Sequence, residues 1–414
     1  MMLRIKDYTT KVGSGVTPRG GAETYLDEGI PLFRSQNVTN DGFLMDDIAF
    51  ISEEVDESMK GTRVKPGDVL LNITGASIGR CFYTSDDFER GNVNQHVCII
   101  RPKKNKVKPD YLHYCIISDK GQQQIDLTQT GANREGLAVE DIRGFMFDIP
   151  SLPVQQRIVD YLDEKLTKID GRIEVLEKQK NAYVRLKKSI IHHAVTRGLN
   201  PNVSLKDSGI EWIGMIPEHW EVKRIKDLCS FVSRGSTPDY VDESDFPVMN
   251  QAVFSSGCIN HEVVRYSSYM KPESKIEKGD LLIASTGGGI LGKLYFFNIE
   301  DEQFYADTHV TIVRSPKKTF CVKFLYYLLS IGYNMINSCM AKGSTNQTEL
   351  QRDKLIAYEI AIPSIEEQTR IIDYLDEKCT KIDAAIENIS KQIDASKRLK
   401  RALINEVITG QRAV

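Results

Sequence analysis

The longest hydrophobic pattern in the chain lies between residues 153 and 197 and predicts a single long helix. Apolar residues recur there at alternating intervals of three and four, the spacing of the narrow seam of a coiled coil. Ser151, followed by Pro153, indicates the start of the helix, and Gly198 indicates its end. The seam consists of Ile158, Leu162, Leu166, Ile169, Ile173, Leu176, Tyr183, Leu186 and Ile190.

A second seam near the C-terminus repeats the first. Ser364-Ile-Glu-Glu367 is a capping box that predicts the start of another long helix, and Gly410 predicts its end. A helix of this length, about 67 Å, cannot fold back into a compact domain, so we expect the two helices to pair. The second seam consists of Ile371, Leu375, Cys379, Ile382, Ile386, Ile389, Ile393, Leu399 and Leu403.

The whole chain is an internal repeat, with the order module, helix, module, helix. Residues 149–170 and 362–383 are identical at 16 of 22 positions, at a constant offset of 213 residues. Weaker matches within the modules pair Gly15-Val-Thr-Pro18 with Gly235-Ser-Thr-Pro238, and His96 with His309. The predicted segments are 1–150, 151–198, 199–363 with a linker near 199–221, and 364–414.

The two modules mix short strand-like runs with turn residues and short helices, so we predict an α+β fold for each. The strand-like runs are 68–74, 96–101, 280–286 and 309–314, and the short helices are 111–118 and 324–331.

Composition and charge narrow the class of protein. With 41% hydrophobic and 27% charged residues the chain is of the folded, soluble kind, and it has neither a membrane-spanning run nor an apolar N-terminal signal. Eight cysteines without a CxxC pair favour a reducing cytoplasm and argue against disulfides or structural zinc.

The charge pattern gives no signature of nucleic-acid binding. The net charge is −3, and no module is basic in bulk. Any contact with DNA must therefore come from local patches, from polar side chains or from a partner protein.

One glycine-rich segment is similar to a nucleotide-binding loop. Gly287 to Lys293 fits the pattern GxxxxGK. However, Leu294 stands where Ser or Thr should hold Mg²⁺, and the first copy, 75–80, is one residue shorter. A tight turn that presents Arg80 or Lys293 is the favoured interpretation.

Other catalytic signals are weak. No carboxylate pair shared by the modules indicates general acid–base chemistry, and the Asn-Pro-Pro-aromatic motif that would accompany binding of a methyl donor does not occur. We therefore predict neither catalytic nor metal-binding residues. His96 and His309 are interpreted as strand histidines that bond a neighbouring carbonyl, with a polar tip near DNA as the alternative.

Taken together, the repeat resembles the specificity subunit of type I restriction–modification systems. The residues that carry the resemblance are 149–170, the copy at 362–383 and the lead-in at 207–228, and the similarity spans essentially the whole chain. A lead-in before the first module, equivalent to 209–222, would precede Met1. The resemblance implies a non-catalytic scaffold with two target-recognition domains and two antiparallel spacer helices.

The resemblance also implies partners. Each recognition domain would read one half of a bipartite, asymmetric site in double-stranded DNA, and the helices would set the gap. Two methyltransferase subunits that bring S-adenosylmethionine would dock on the chain, and restriction subunits that use ATP and Mg²⁺ could join them. The chain itself is expected to bind no cofactor. Nearly identical helices joined to divergent modules fit this division of roles.

Candidate base readers are polar side chains on loops, because Arg and Lys suit guanine whereas Asn and Gln suit adenine. In the first module they are Arg19, Arg34, Gln36, Asn37, Arg80, Asn133 and Arg134. In the second they are Arg234, Asn250, Gln251, Lys293, Lys342, Asn346 and Gln347.

Two alternative functions remain open at this point. A coiled-coil scaffold that organises proteins without touching DNA would explain the helices but not the divergent modules. A nucleotide-dependent enzyme built on 287–293 is the weakest alternative.

Overall fold

The chain folds into two compact units. Unit 1 consists of Met1–Glu177 with Ser390–Val414, and unit 2 of Lys178–Ile389. Among the described residues, no helix has both the length and the apolar character needed to cross a membrane. The computed structural model describes residues 2–128, 136–287, 289–315, 320–332, 336, 340–342 and 348–414.

Both predicted long helices are confirmed. The first long helix is Leu152–Arg197 and the second is Ile365–Ile408. Gly198 and Gly410, just beyond their ends, have φ angles of 74° and 76°. This left-handed conformation is easily adopted by glycine and ends a helix by redirecting the chain.

In unit 1 the beginning of the first long helix packs against the end of the second. Leu162 and Leu166 share a hydrophobic core with Leu403, Ile404 and Val407. The two segments therefore run in opposite directions, as the antiparallel prediction requires.

Unit 2 contains the complementary arrangement. Ile191 and Val195, from the end of the first long helix, share a core with Ile371 and Leu375, from the beginning of the second. The prediction of two antiparallel helices is therefore confirmed in each unit.

A repeated ion pair joins the long helices. In unit 2, Lys187 Nζ lies 2.6 Å from Asp383 Oδ2, and in unit 1, Lys400 Nζ lies 2.8 Å from Asp170 Oδ1. Both the lysines and the aspartates are related by the sequence offset of 213. The pairs therefore belong to the repeat and hold the same register in each unit.

Most of the predicted seam is confirmed, but three positions are wrong. Tyr183, Leu186 and Leu399 are 37%, 47% and 55% exposed. Ile158, Ile169, Ile173, Ile190 and Ile386 are partly buried. The buried seam residues are Leu162, Leu166, Leu176, Ile371, Leu375, Cys379, Ile382, Ile389, Ile393 and Leu403.

The error has a geometric cause. A straight helix turns every 3.6 residues, so a stripe with a 3.5-residue period drifts by about 20° in each heptad. Leu186 is four heptads beyond Ile158, so the stripe has rotated by about 80° there. Near the end of the helix the buried residues are accordingly Ile191 and Val195, whereas the seam residue Ile190 is only partly buried.

In unit 1, the described residues outside the long helices form three sheets and several short helices. The strands are β1 (Met2–Arg4), β2 (Thr9–Ser14), β3 (Ile30–Phe33), β4 (Ala49–Ile51), β5 (Val69–Asn72), β6 (Cys81–Tyr83), β7 (Asn92–Val93), β8 (Val97–Pro102) and β9 (Met146–Asp148). The α-helices are Ile5–Tyr8, Glu53–Ser58, Pro109–Ile117, Asp119–Thr128 and Val139–Gly144. The sheet orders are β2-β8-β5-β6, β4-β3-β7 and β1-β9.

Unit 2 repeats this plan and adds to it. Its strands are β10 (Leu205–Asp207), β11 (Met215–Pro217), β12 (Glu221–Arg224), β13 (Phe231–Arg234), β14 (Tyr240–Val241), β15 (Pro247–Met249), β16 (Arg265–Ser267), β17 (Leu281–Ala284), β18 (Leu294–Phe296), β19 (Tyr305–Ala306), β20 (Val310–Arg314), β21 (Ala341–Lys342), β22 (Glu349–Leu350) and β23 (Glu359–Ile362). Its short α-helices are Ile225–Leu228, Gln251–Phe254, Val322–Ile331 and Arg352–Ala357.

The sheets of unit 2 match those of unit 1 in strand order, with one strand added. The order β13-β20-β17-β18 corresponds to β2-β8-β5-β6, and both sheets are antiparallel. The sheet β14-β16-β15-β19 corresponds to β4-β3-β7 with one added strand, and β12-β23 corresponds to β1-β9. Hairpins β10-β11 and β21-β22 complete unit 2. The predicted α+β fold is confirmed, and the predicted strands correspond to β5, β8, β17 and β20.

A buried glutamine attaches each module to the start of its long helix. Gln155 and Gln368 are fully buried. Gln155 Oε1 accepts a hydrogen bond from the backbone N–H of Lys108 at 2.9 Å, and Gln368 Oε1 accepts one from Cys321 at 2.9 Å. These bonds explain why the glutamine is part of the repeated motif.

A tyrosine makes a second attachment. The hydroxyl of Tyr114 donates to Asp163 Oδ1 at 2.5 Å, and that of Tyr327 donates to Asp376 Oδ1 at 2.5 Å. Burial, with a smaller contribution from the aspartate, raises the pKa of both tyrosines. Each hydroxyl therefore stays protonated and keeps its role as donor.

Candidate nucleic-acid interface

Repeated polar residues meet at one edge of the main sheet in each unit. Strands β5 and β17 are followed by Thr74 and Thr286, whereas β8 and β20 are preceded by His96 and His309. Because β5 and β8 are antiparallel, as are β17 and β20, the end of one strand lies beside the start of the other. The threonine and the histidine are therefore brought together.

In unit 1 these side chains form a hydrogen-bonded chain. Thr74 Oγ1 lies 2.6 Å from His96 Nδ1, and His96 Nε2 lies 2.9 Å from Gln95 Nε2. The other end of the Gln95 amide accepts a hydrogen bond from the hydroxyl of Thr17. When the Gln95 amide donates to Nε2, the ring proton lies on Nδ1, which then donates to Thr74.

Unit 2 has the same threonine–histidine pair in different surroundings. Thr286 Oγ1 lies 2.8 Å from His309 Nδ1 and 3.4 Å from Gln251 Oε1. Thr308 occupies the position of Gln95, and His309 is exposed. The expectation that these histidines bond a carbonyl is wrong, because the ring partner in both units is a threonine hydroxyl.

The turn before each histidine is also preserved. The backbone N–H of His96 donates to Asn94 Oδ1 at 3.1 Å, and that of His309 donates to Asp307 Oδ1 at 2.9 Å. Both acceptors are buried. Burial raises the pKa of Asp307, while the N–H and the imidazole of His309 oppose that shift. Asn and Asp supply the same oxygen, so the turn survives the change of residue.

The repeated glycines before the Thr-Pro pairs pack directly against this turn. A Cβ on Gly15 would lie 2.1 Å from the carbonyl oxygen of Val93, and one on Gly235 would lie 1.9 Å from that of Ala306. Only glycine fits such an approach. The motif therefore has a structural reason, since it places the following residues beside the histidine turn.

Asn72 positions the loop that carries two predicted readers. Its Nδ2 donates to the carbonyls of Ser35 and Val38 at 2.7 and 3.1 Å. Arg34 and Gln36 are thereby held near the end of β5. The sequence reasoning missed Asn72, although an amide that ends the apolar run VLLN is a detectable signal.

The side chains of the predicted readers in unit 1 differ in exposure and in hydrogen bonding. Arg19 and Arg80 are exposed. Arg34 Nη2 donates to the carbonyl of Asp47 at 2.6 Å, and the Gln36 amide donates to the carboxylate of the same residue. Arg34 and Gln36 are therefore held as a pair on one loop.

Asn37, predicted as a base reader, is instead a buried residue that supports the loop. It is 1% exposed, its Nδ2 donates to the carbonyl of Leu44 at 2.9 Å, and its Oδ1 accepts from the N–H of Arg34 at 3.1 Å. Its amide supports the loop from inside, so we do not retain it among the readers.

In unit 2, predicted readers surround Thr286 and Glu349. The two residues form a β-bridge, and Lys342 pairs with Glu349 between β21 and β22. Arg234 Nη2 lies 3.4 Å from Glu349 Oε2, and Gln251 contacts Thr286. The structure thus brings Arg234, Gln251 and Lys342 to the same edge as His309.

The other two described candidates are partly engaged. Asn250 caps the short helix that follows it by accepting from the N–H of Ala252 at 2.9 Å. Lys293 Nζ donates to the carbonyl of Ser255 at 2.8 Å, so its ammonium is bonded there and not within the glycine turn. Among the described residues, no three His, Cys, Asp or Glu side chains are grouped to hold a metal ion.

The remaining predicted readers, Asn133, Arg134, Asn346 and Gln347, lie outside the described residues. The chain that follows each of these segments is described and returns to the same sheet edge. The N–H of Leu137 donates to the carbonyl of Ile73 at 2.8 Å, and that of Leu350 donates to Ser285 at 2.9 Å.

Comparison with known families identifies the class of protein. The family described as the type I restriction modification DNA specificity domain matches residues 2–184 and 217–395. The chain therefore belongs to the type I restriction–modification DNA specificity family. The predicted role, a specificity subunit and not an enzyme, is confirmed.

The sequence similarity to individual relatives extends over nearly the whole chain. The putative type I restriction enzyme MjaX specificity subunit of Methanocaldococcus jannaschii is 22% identical over 414 residues, covering 98% of this chain and 92% of the relative. The MjaVIII specificity subunit of the same organism is 25% identical over 383 residues, covering 89% and 84%.

A solved structure shares the fold. The chain superposes with a TM-score of 0.75, at 16% identity, on a chain described under the structural basis of complex assembly and conformational transition of the type I R-M system. The match covers 99% of this chain and 97% of the solved one.

Proposed function

We propose that this specificity subunit reads a bipartite, asymmetric DNA sequence, with one half read by each recognition domain. The observation that carries the proposal is a contrast between the two units. The sheet order, the threonine–histidine pair and the helix attachments are repeated, whereas the loops around them differ. Two different half-sites require different loops on a common frame, because base edges are distinguished by individual side chains.

The readers that we retain lie near the repeated edge of each main sheet. In unit 1 they are Arg34 and Gln36, held near β5 through Asn72, and the exposed Arg19 and Arg80. In unit 2 they are Arg234, Gln251 and Lys342. Arg and Lys suit guanine and Gln suits adenine, so the two sets favour different bases.

Two copies of one methyltransferase subunit would dock on the long helices. Leu186 and Leu399 are related by the offset of 213, and both are exposed although they are large and apolar. Exposed apolar residues that lie together in a patch are typical of contact surfaces. In unit 2, Leu186 lines a groove together with Ala182, Tyr183 and Ile389. A repeated apolar position suits a partner that binds twice.

The chemistry would belong to the partners. Methyltransferase subunits would bring S-adenosylmethionine, and restriction subunits would use ATP and Mg²⁺, in the cytoplasm where the DNA is. The net charge of −3 fits this division, because nonspecific attraction to phosphate comes from Lys and Arg that a partner can supply.

The experiment that tests this function is adenine methylation mapping across the genome with and without the gene for this chain. We expect a single interrupted, asymmetric motif to lose methylation on deletion and to regain it on complementation. An unchanged methylome would contradict the proposal and would favour a protein-organising scaffold.

A second arm tests the assignment of half-sites. Residues 1–150 are exchanged for the corresponding module of another specificity subunit. One half of the motif should change while the other half and the gap remain. A change in both halves would show that the modules do not read independently.

A further inference from the structure

We propose that Thr74–His96 and Thr286–His309 each form a contact site for a phosphate of the DNA backbone. The inference rests on the proposed function and adds to it the residues that hold the DNA independently of its sequence. The base readers differ between the units, whereas this site is common to both.

The threonine–histidine pair is preserved while its neighbours change. Gln95 in unit 1 is replaced by Thr308 in unit 2, and the acceptor of the turn changes from amide to carboxylate. The distance from the threonine Oγ1 to the histidine Nδ1 is nevertheless 2.6 Å in one unit and 2.8 Å in the other. The bond between the threonine and the imidazole is therefore kept although its surroundings differ.

Both histidine rings are accessible to solvent, fully or in part. A histidine that serves packing is buried, but His309 is exposed and His96 is partly exposed. Nδ1 is bonded to threonine in both, so Nε2 is the nitrogen that can meet an external partner. In unit 1 the Gln95 amide reaches Nε2, and because Gln95 is itself exposed it can move aside for a ligand.

The repetition of the pair also indicates which part of DNA it would contact. A contact that is the same in two modules with different readers must recognise a part of DNA that does not depend on sequence. The phosphate is that part, and side-chain donors from polar residues commonly bind it. When Nε2 carries the ring proton, Nδ1 accepts from the threonine hydroxyl and Nε2 donates to a phosphate oxygen.

The location is also suitable. In unit 2, Arg234 and Lys342 lie around Glu349, which forms a bridge with Thr286. A phosphate bound by His309 would thus lie beside residues retained as base readers. Phosphate contacts of this kind fix the register of a protein on the duplex.

The test uses the full chain assembled with its methyltransferase subunits. Binding is measured by fluorescence anisotropy on two DNA duplexes. One carries the motif that the complex methylates, and the other has both halves of that motif scrambled. His96→Ala and His309→Ala should each weaken binding to both duplexes by about tenfold, the effect of losing one hydrogen bond to a charged group. The ratio of the two affinities and the methylated motif should stay the same.

Two further variants separate contact from folding. His309→Gln should restore part of the affinity, because the glutamine amide reaches the position of Nε2. His261→Ala is the matched control, since His261 is an exposed histidine of unit 2 that pairs with Glu302, and it should leave binding unchanged.

Two results would overturn the assignment, and a third would contradict the proposed function. A loss confined to the motif duplex, with altered preference at one base pair, would make the histidine a base reader. Unchanged affinity in both alanine variants would show that the pair does not touch DNA. Failure of the wild-type complex to prefer the motif duplex would instead contradict the proposed function itself.

Discussion

His113 is a buried residue of unit 1 at the position that Tyr326 occupies in unit 2. Burial lowers its pKa to about 4, and its Nδ1 lies 3.4 Å from Cys81 Sγ. In the unfolded chain a histidine has a pKa of about 6.5, so folding favours the neutral ring. The contribution of the neutral ring to the free energy of unfolding is fully present above about pH 6.5. It is lost as the pH falls towards 4, by about 3 kcal/mol in all.

Replacing His113 with tyrosine, the residue of the other module, should therefore make unfolding less sensitive to acid. A cavity of about 300 Å³ beside His113, lined also by Tyr83 and Asp163, gives the larger ring room. Urea unfolding at pH 7.5 and pH 4.5 measures the effect. The difference between the two pH values should shrink by up to about 3 kcal/mol, the contribution of the buried ring.

An exposed histidine supplies the control for this measurement. His261→Tyr should keep the acid sensitivity of the wild type. If His113→Tyr also keeps it, the neutral ring of His113 does not contribute to the acid sensitivity of unit 1.

The two asparagines near the end of β5 show what residue type can predict. A polar loop was correctly located at residues 34–37, because Arg, Gln and Asn in a short segment indicate a surface loop. Which of these amides faces outward was not predictable, because the Asn37 side chain is hydrogen-bonded to the backbone of Arg34 and Leu44. Asn72, outside the predicted set, supports the same loop. Such assignments depend on backbone carbonyls that only the fold brings close.

At the scale of the element, the long helices were the most predictable part of the chain. Capping residues and periodicity are local signals, so the ends of both helices could be predicted from the sequence. The exposure of Leu186 and Leu399 could not, because it depends on how far the apolar stripe drifts relative to the partner helix. The strands β5, β8, β17 and β20 were also predictable, whereas their order in the sheet arises from long-range pairing.

The proposed docking position predicts a change in stoichiometry. Leu186→Glu and Leu399→Glu should each reduce the number of bound methyltransferase subunits from two to one, and the double variant should bind none. The reason is that a buried, unpaired charge at an interface is strongly unfavourable. Native mass spectrometry of the assembled complex measures the number directly.

Val175 provides a matched control on the same helix. It is 54% exposed, and its counterpart by the offset of 213 is the polar Asn388, so it is not a repeated apolar position. Val175→Glu should leave two subunits bound. Loss of a subunit in this variant, or its retention in Leu186→Glu, would contradict the docking position.

At the scale of the whole molecule, the proposed spacer role predicts an effect of helix length on the gap. Seven residues inserted after Glu177 and seven after Ile389 keep the seam in phase and add about 10 Å to each helix. The gap should increase by about three base pairs, at 3.4 Å each, while both half-sites remain. Methylation mapping measures the new motif, and altered half-sites would show that the helices are not simple spacers.

The division into units could not be predicted from the order of segments. The modules and helices follow one another along the chain, but a compact unit is defined by which segments pack together. Residues 390–414 join unit 1 because Leu403 and Val407 complete a core with Leu162. The interaction of segments so far apart in sequence is a property of the fold.

This division has a consequence for biosynthesis. Unit 2 is one continuous stretch, 178–389, whereas unit 1 requires residues from both ends of the chain. A polypeptide that leaves the ribosome N-terminus first has all of unit 2 before it has the last segment of unit 1. During translation, the apolar face of Leu162 and Leu166 therefore has no partner until residues 390–414 have been made. Unit 1, whose N-terminal residues are made first, is therefore completed after unit 2.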